Sequence, residues 1–208
     1  MSEVKLICGD CFEILPTLEV RSVDAVITDP PYGIGYNRNQ KHRGKVDNPT
    51  VIGDDKPFDP SLLLKFKKLI LWGANCYASR LPDSPTWLCW HKTMTNGNKS
   101  QSADFELAWA RGITRNRFFE YLWSGYYRAG EVGIFLHPTQ KPVALMMWCV
   151  ELLTKSNETV LDPFMGSGAT GVACVKLNRN FIGIEISEEY FKIAEKRIKE
   201  AQMQLSFL

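Results

Sequence analysis

The chain has 208 residues, of which 45% are hydrophobic and 23% charged, with a formal net charge of +2. This length suits one well-buried α/β domain and is too short for a second full domain beside it. No stretch approaches the roughly 20 apolar residues of a membrane span, and the first residues lack the basic and apolar regions of a signal peptide. We therefore expect a single-domain cytoplasmic protein.

The pattern of apolar and polar residues predicts strands that alternate with helices. Strands are expected at 4–8, 25–28, 69–72, 86–90, 105–110, 117–123, 159–162 and 180–186, and helices at 11–17, 59–68, 75–81, 140–154 and from 188 onward. The aromatic strands 105–110 and 117–123 are expected to pair with each other antiparallel. Ser187 is the expected cap of the last helix. The alternation predicts a mostly parallel sheet wound on both sides, with right-handed crossovers.

The first candidate functional motif, Asp29-Pro30-Pro31-Tyr32, directly follows the apolar run 23–28. That run reads as a buried strand, so the motif lies at the strand's carboxyl end, where open α/β sheets bind ligands. A carboxylate, two prolines that stiffen the loop and an aromatic ring are suited to holding a planar base. We expect this loop to bind the substrate.

A segment of basic residues follows the first motif. Residues 36–45 contain Arg38, Lys41, Arg43 and Lys45 and no acidic residue. A solvated loop would have the same composition, but the position next to a base-binding loop favours contact with the DNA backbone.

A second motif repeats the order of strand, Asp-Pro and glycine-rich loop. Strand 159–162 ends at Asp162 and is followed by Pro163, Phe164 and the glycines 166, 168 and 171. The glycines let the backbone approach a ligand closely, and the helix that starts near Ala169 offers free amide groups. Glu185 ends the next strand, close to the roughly 20-residue spacing at which a carboxylate reaches a ribose hydroxyl. Both loops are expected on one sheet edge, with a nucleoside-bearing cofactor.

The six cysteines do not form a dense disulfide framework. Cys8 and Cys11 have the Cys-x-x-Cys spacing of a zinc half-site, but no second pair and no spaced histidines accompany them. We expect no metal site.

Three motifs together resemble the permuted class of S-adenosylmethionine-dependent DNA amino-methyltransferases, of the N6-adenine type. Asp29-Pro30-Pro31-Tyr32 comes first, His137-Pro138-Thr139-Gln140-Lys141-Pro142 resembles the linking motif, and the glycine loop after Asp162 comes last. The resemblance implies a Rossmann-like fold with a seven-stranded sheet containing one antiparallel strand. It also implies a catalytic half at 1–136 and a cofactor-binding half at 137–208, without a separate target-recognition domain.

The resemblance assigns roles to individual residues. Asp29 and the Pro30 carbonyl would accept the hydrogens of the adenine amine, and Tyr32 would stack on the extruded base. S-adenosylmethionine would be held by residues from both ends of the chain, namely Asp10, Cys11, His137, Thr139, Lys141, Asp162, Phe164, Gly166, Gly168 and Glu185. Within that set, Lys141 with Thr139 and His137 would hold the methionine carboxylate, and Glu185 the ribose hydroxyls.

Other functions remain open at this stage. Gly166, Gly168 and Gly171 also fit a dinucleotide fingerprint, which would suit a nicotinamide-dependent oxidoreductase. A nucleic-acid-binding module without a cofactor would explain the basic segment but not the two ligand loops. Within the methyltransferase fold, cytosine N4, RNA adenine and protein glutamine are alternative targets, although Asp at the first motif position favours adenine. A homodimer is compatible with the sequence, which does not determine the oligomeric state.

Overall fold

The computed structural model describes residues 2–35, 52–92, 103–124, 127–130, 136 and 139–206. Within them the strands are β1 (Val4–Cys8), β2 (Ala25–Thr28), β3 (Leu69–Trp72), β4 (Thr86–His91), β5 (Phe105–Arg111), β6 (Arg117–Glu120), β7 (Trp123–Ser124), β8 (Tyr127–Arg128), β9 (Thr159–Asp162) and β10 (Asn180–Glu185). The α-helices are α1 (Cys11–Ile14), α2 (Val143–Leu153), α3 (Ala169–Lys176) and α4 (Glu188–Ser206). Short 3-10 helices cover Leu15–Thr17, Val20–Ser22, Ala74–Cys76 and Ala78–Arg80.

In the described residues, eight strands form one sheet in the order β1-β10-β9-β2-β3-β5-β4-β6, and β7 pairs with β8 in a separate hairpin. Only β5 runs against the other strands of the large sheet. The predicted mixed α/β sheet is confirmed, but it has eight strands where the resemblance implies seven. The predicted antiparallel pairing of β5 with β6 is wrong, because β4 lies between them and pairs with both.

Both faces of the sheet are covered. On β2, Ala25 and Ile27 face the layer formed by α2, α3 and α4, whereas Val26 faces the layer that includes α1 and residues 58–66 and 74–77. Alternate side chains of a strand point to opposite faces, so a strand buried on both faces consists of apolar residues throughout. This explains the continuous apolar run that precedes Asp29.

The predicted helix at 59–68 is wrong. Asp59 does accept a hydrogen bond from the Ser61 backbone, as a cap would, and the chain then makes a turn that includes a bond from Leu64 N to Pro60 O. The guanidinium of Arg111 binds the backbone carbonyls of Leu64 and Phe66. Those carbonyls stay outside a regular helical ladder, so the segment remains a series of turns.

The order of the strands places the two candidate loops side by side. β2 pairs with β9 in parallel, with Ala25 opposite Val160 and Val26 opposite Leu161. Asp29 and Asp162 therefore leave the sheet at the same edge from neighbouring strands. The prediction that both loops open on one edge is confirmed.

Candidate active site

The site is built around the Asp29 carboxylate at the carboxyl end of β2. The Tyr32 hydroxyl donates a hydrogen bond to Asp29 Oδ1 over 2.6 Å, and Lys141 Nζ donates to Asp29 Oδ2. Lys141 Nζ also lies 3.3 Å from the Tyr32 hydroxyl oxygen. Only 15% of the Asp29 side chain and 8% of the Lys141 side chain are exposed. Both oxygens of the carboxylate are thus engaged, in a site largely shielded from water.

A second carboxylate, Glu106 on β5, extends this cluster. Glu106 Oε1 accepts a hydrogen bond from Lys92 Nζ over 2.6 Å, and Glu106 Oε2 lies 3.2 Å from Lys141 Nζ. Two lysines and two carboxylates therefore alternate from Lys92 through Glu106 and Lys141 to Asp29. The alternation leaves the buried cluster without net charge, which limits the cost of removing four charged groups from water.

Burial and charge act in opposite directions on the pKa values of this cluster. Burial raises the pKa of Asp29, and the attraction of Lys141 only partly offsets this effect. Burial would also raise the pKa of Glu106, but Lys141 and Lys92 outweigh it and lower that pKa. For Lys141, the carboxylates Asp29 and Glu106 outweigh burial and raise the pKa, so the ammonium stays charged. The pKa values of the two carboxylates are therefore shifted in opposite directions, because Glu106 is flanked by two lysines and Asp29 by one.

Two features fix the loop that carries Tyr32. Asp54 Oδ1 accepts a hydrogen bond from Gly33 N over 2.7 Å, and Asp54 O accepts one from Gly35 N over 2.9 Å. Behind the ring, Gly73 has a φ of +66°, and a Cβ at this position would lie 1.9 Å from Tyr32 Cε1. Only glycine therefore leaves room for the tyrosine where it is.

The glycine loop lies next to this cluster and is tied to it through Asp162. Asp162 Oδ1 accepts a hydrogen bond from Thr28 Oγ1, and Oδ2 accepts one from Thr170 Oγ1, both over 2.6 Å. Thr28 is the residue before Asp29, and Thr170 is in the first turn of α3. The buried Asp162 carboxylate thus joins the end of β2 to the start of α3, and its predicted contact with a cofactor stays a prediction.

Glu185 supports the glycine loop from the next strand. Its two carboxylate oxygens accept hydrogen bonds from Gly166 N and Ser187 N, each over 2.9 Å. Burial raises the pKa of Glu185, although these backbone donors counteract it. Gly168 precedes α3 with a φ of +82°, and a Cβ there would lie 2.9 Å from the Ala194 Cβ. The loop can therefore pack directly on α4.

Aromatic rings and a buried thiol lie beside the glycine loop. The Phe164 ring centroid is 6.2 Å from that of Phe12 and 5.5 Å from that of Phe58, in edge-to-face contacts. Asp10 caps α1 by accepting a hydrogen bond from Phe12 N. Burial, with the nearby Asp10 charge, raises the pKa of Cys11 to about 12. A thiol with this pKa is not a nucleophile at neutral pH. Cys11 is therefore suited to line the predicted cofactor site and not to act as a catalyst.

Only some of the other predicted site residues lie in the part of the chain that the structure describes. His137 and the basic residues Arg38, Lys41, Arg43 and Lys45 lie outside the described residues. Thr139 lies within them, two residues before Lys141. Lys141, which the resemblance assigns to a methionine carboxylate, here contacts Asp29, and the assigned role stays a prediction. Where side chains are described, no group of three or more His, Cys, Asp or Glu residues could hold a metal ion.

Sequence reasoning missed several members of the site: Lys92, Glu106, Asp54 and Gly73. The sequence does contain an indication of Glu106, because this residue is the lone carboxylate within the otherwise largely apolar strand β5. A charged residue in such a strand needs a buried partner. The partners themselves, Lys92 directly after β4 and Lys141 before α2, are distant in sequence, so only the fold could identify them.

Comparison with known proteins agrees with this geometry. M.HinfI, a type II methyltransferase of Haemophilus influenzae, is 29% identical over 92% of this chain and 67% of its own length. The crystal structure of the M1.HpyAVI-SAM complex is 26% identical, with a TM-score of 0.59 over 94% of this chain and 98% of that one.

A third protein shares the fold at lower identity. The cytosine-N4-specific PvuII DNA methyltransferase is 15% identical, with a TM-score of 0.63 over 99% of this chain and 93% of its own. The model of the N6/N4 DNA methylase family matches residues 87–196, more than half of the 208 residues. The chain therefore belongs to the DNA methylase family.

Proposed function

We propose that this protein transfers a methyl group from S-adenosylmethionine to the exocyclic N6 amine of adenine in DNA. One observation carries the proposal: the parallel pairing of β2 with β9, which sets the Asp29 loop beside the glycine loop. A methyl transfer needs the acceptor amine and the methyl donor in direct contact. Two ligand loops on adjacent strand ends provide that arrangement.

The residues of the glycine loop fit the cofactor. Each Glu185 oxygen accepts one backbone N–H, which leaves acceptor capacity on both oxygens for the two ribose hydroxyls. Phe164 and the wall formed by Asp10 and Cys11 would border the adenine. Thr139 and His137 would hold the methionine carboxylate, whereas Lys141, to which the resemblance gives the same role, is paired with Asp29 in this structure. The cofactor supplies an activated methyl group on a sulfonium, and the similar protein M1.HpyAVI forms a crystalline complex with SAM.

The chain's own contribution is to make a poor nucleophile reactive. The lone pair of an exocyclic amine is delocalised into the base, and it becomes available when the nitrogen turns pyramidal. The Asp29 carboxylate and the Pro30 carbonyl can accept the two amine hydrogens and hold this geometry. Tyr32 offers a ring on which the extruded base stacks. After transfer, the nitrogen releases one proton, and Asp29 guides it out of the site.

The identity of the target base rests on the first motif position. Members of the resembled class that methylate cytosine commonly have Ser where this chain has Asp29, so the carboxylate favours adenine. The fold does not distinguish the two bases, because the cytosine-N4-specific PvuII enzyme shares it. The product therefore has to be identified chemically.

Mass spectrometry of nucleosides tests the proposal. The purified chain is incubated with DNA from a methylation-deficient host and with S-adenosylmethionine that carries a deuterated methyl group, and the DNA is then digested. We expect deuterated N6-methyladenine. Abundant N4-methylcytosine without N6-methyladenine would overturn the adenine assignment, and the absence of any labelled nucleoside would overturn the proposed activity on DNA.

A further inference from the structure

Both oxygens of Asp29 accept a hydrogen bond in this structure, which weakens the carboxylate as an acceptor for the target amine. Oδ1 accepts from the Tyr32 hydroxyl and Oδ2 from Lys141 Nζ. If Asp29 holds the target amine through Oδ2, as in the proposed function, the Lys141 ammonium competes with the amine for the negative charge on that oxygen. A buried ammonium cannot leave its partner without a large cost unless a second acceptor is at hand.

Glu106 provides that acceptor. Its Oε2 atom is buried and forms an ion pair of 3.2 Å with Lys141 Nζ, without the full geometry of a hydrogen bond. The opposite oxygen, Oε1, is held by Lys92 Nζ over 2.6 Å, so the carboxylate is anchored. A small rotation of Lys141 toward Oε2 would complete a hydrogen bond there as it gives up the one to Asp29.

We propose that Glu106 is a positioning residue for methyl transfer, which takes over Lys141 Nζ when Asp29 engages the target amine. The inference rests on the proposed role of Asp29 and applies equally to an adenine or a cytosine amine. Lys92 anchors Glu106, and Glu106 in turn lets Lys141 move while it remains paired.

Substitution of Glu106 by Gln removes the charge at nearly constant size. Lys141 then has Asp29 as its only carboxylate partner in the cluster, so the amine competes for Asp29 with a firmly held ammonium. We expect the single-turnover rate of methyl transfer to fall about 100-fold, the effect of a misplaced reacting group, while the Kd for S-adenosylmethionine changes less than about 3-fold. Glu106→Asp, which keeps the charge, should recover at least about 10-fold of the lost rate.

Two further variants separate this role from a structural one. Glu158→Gln breaks a more exposed ion pair with Lys68, of 3.3 Å, on another part of the molecule and should leave the rate unchanged. Glu106→Gln combined with Lys92→Met removes a carboxylate and its anchoring cation together. This double variant should regain the thermal stability lost by Glu106→Gln alone, but not the rate.

A titration of the cofactor-free protein gives an independent readout. The groups that face Asp29 are Lys141, Tyr32, Glu106, Tyr77 and Asp162, with Lys92 behind Glu106. The negative charge of Glu106 raises the pKa of Asp29, so Glu106→Gln should lower that pKa, as measured by carboxyl carbon NMR.

The outcomes are distinct. A rate within about 3-fold of wild type in Glu106→Gln, a wild-type rate in the double variant, or an unchanged Asp29 pKa would each overturn the role of Glu106. If Asp29→Ala itself transferred methyl groups at the wild-type rate, the proposed role of Asp29 would fail, and that of Glu106 with it. An inactive Asp29→Ala beside a fully active Glu106→Gln would overturn only the inference about Glu106.

Discussion

Tyr32 depends on a residue that is distant in sequence and has no functional group. Gly73 follows β3 with a φ of +66°, and its missing side chain leaves the space that the Tyr32 ring fills. The motif at 29–32 predicts an aromatic ring for the base. It cannot predict that a glycine from the next strand sets the ring's position, because this contact exists only once β2 and β3 have paired.

Gly73→Ala should therefore inactivate the enzyme through Tyr32. Gly35→Ala is a matched control, because Gly35 has a similar φ of +61° and a Cβ there would meet nothing within 4 Å. Both variants should lose about 1–2 kcal/mol of stability from the left-handed backbone. Only Gly73→Ala should also lose methyl transfer, by about 100-fold. Equal rates for the two variants would show that the ring position is not needed for turnover.

At the scale of elements, the strands that build the site are those that the sequence predicts best. β1, β2, β3, β9 and β10 are short apolar runs with turn signals at both ends, and such a pattern needs no tertiary information. The prediction of a helix at 59–68 was wrong because Arg111, which is distant in sequence, binds the backbone carbonyls of Leu64 and Phe66. The predicted pairing of β5 with β6 was wrong because the periodicity of a sequence identifies a strand but not the neighbour with which it pairs.

Asp162 links three elements and gives the fold a pH dependence. Burial raises the pKa of Asp162 from 3.8 to about 6, although three hydrogen bonds oppose the rise. Because the folded pKa exceeds the unfolded one, the stabilising protonated form is complete below about pH 4 and is lost as the pH rises through 6. At 1.36 kcal/mol per pKa unit, this loss amounts to about 3 kcal/mol.

Asp162→Asn should remove this part of the pH dependence. Between pH 4 and pH 7, the free energy of unfolding of wild type should fall by about 3 kcal/mol relative to that of the variant, as measured by urea unfolding at several pH values. The variant should also loosen the Thr28 and Thr170 hydroxyls, which donate to the carboxylate. Parallel pH profiles for the two proteins would contradict the assigned pKa.

At the scale of the whole molecule, one sheet edge carries the substrate loop, the glycine loop and the charged cluster. No helix in the described part of the chain has the length and hydrophobicity to cross a membrane. The two loops and their shared edge could be predicted from the sequence, because the carboxyl ends of parallel strands lie at the same edge of a sheet. It could not predict the ion-pair chain from Lys92 to Asp29, which needs β4, β5 and the linking segment brought together.

We propose that the basic segment at 36–45 contacts the DNA backbone. Neutralising Arg38, Lys41, Arg43 and Lys45 should weaken DNA binding and make the dependence of log Kd on log salt concentration shallower by up to about 4, since each lost phosphate contact releases one fewer counterion. Neutralising four exposed lysines elsewhere, Lys176, Lys192, Lys196 and Lys199, gives the same net charge. Equal salt slopes for the two quadruple variants would assign the effect to net charge alone.

Asp29 is expected to act in methyl transfer and not in cofactor binding, and these two properties can be measured separately. Calorimetry measures S-adenosylmethionine binding to wild type and to Asp29→Ala, and nucleoside mass spectrometry measures methyl transfer to DNA by both. Loss of the acceptor should reduce transfer by about 100-fold to 1,000-fold, while the affinity for the cofactor is kept. The exposed Asp59→Ala variant should match wild type in both measurements. Wild-type transfer by Asp29→Ala would show that this carboxylate is not needed to hold the target amine.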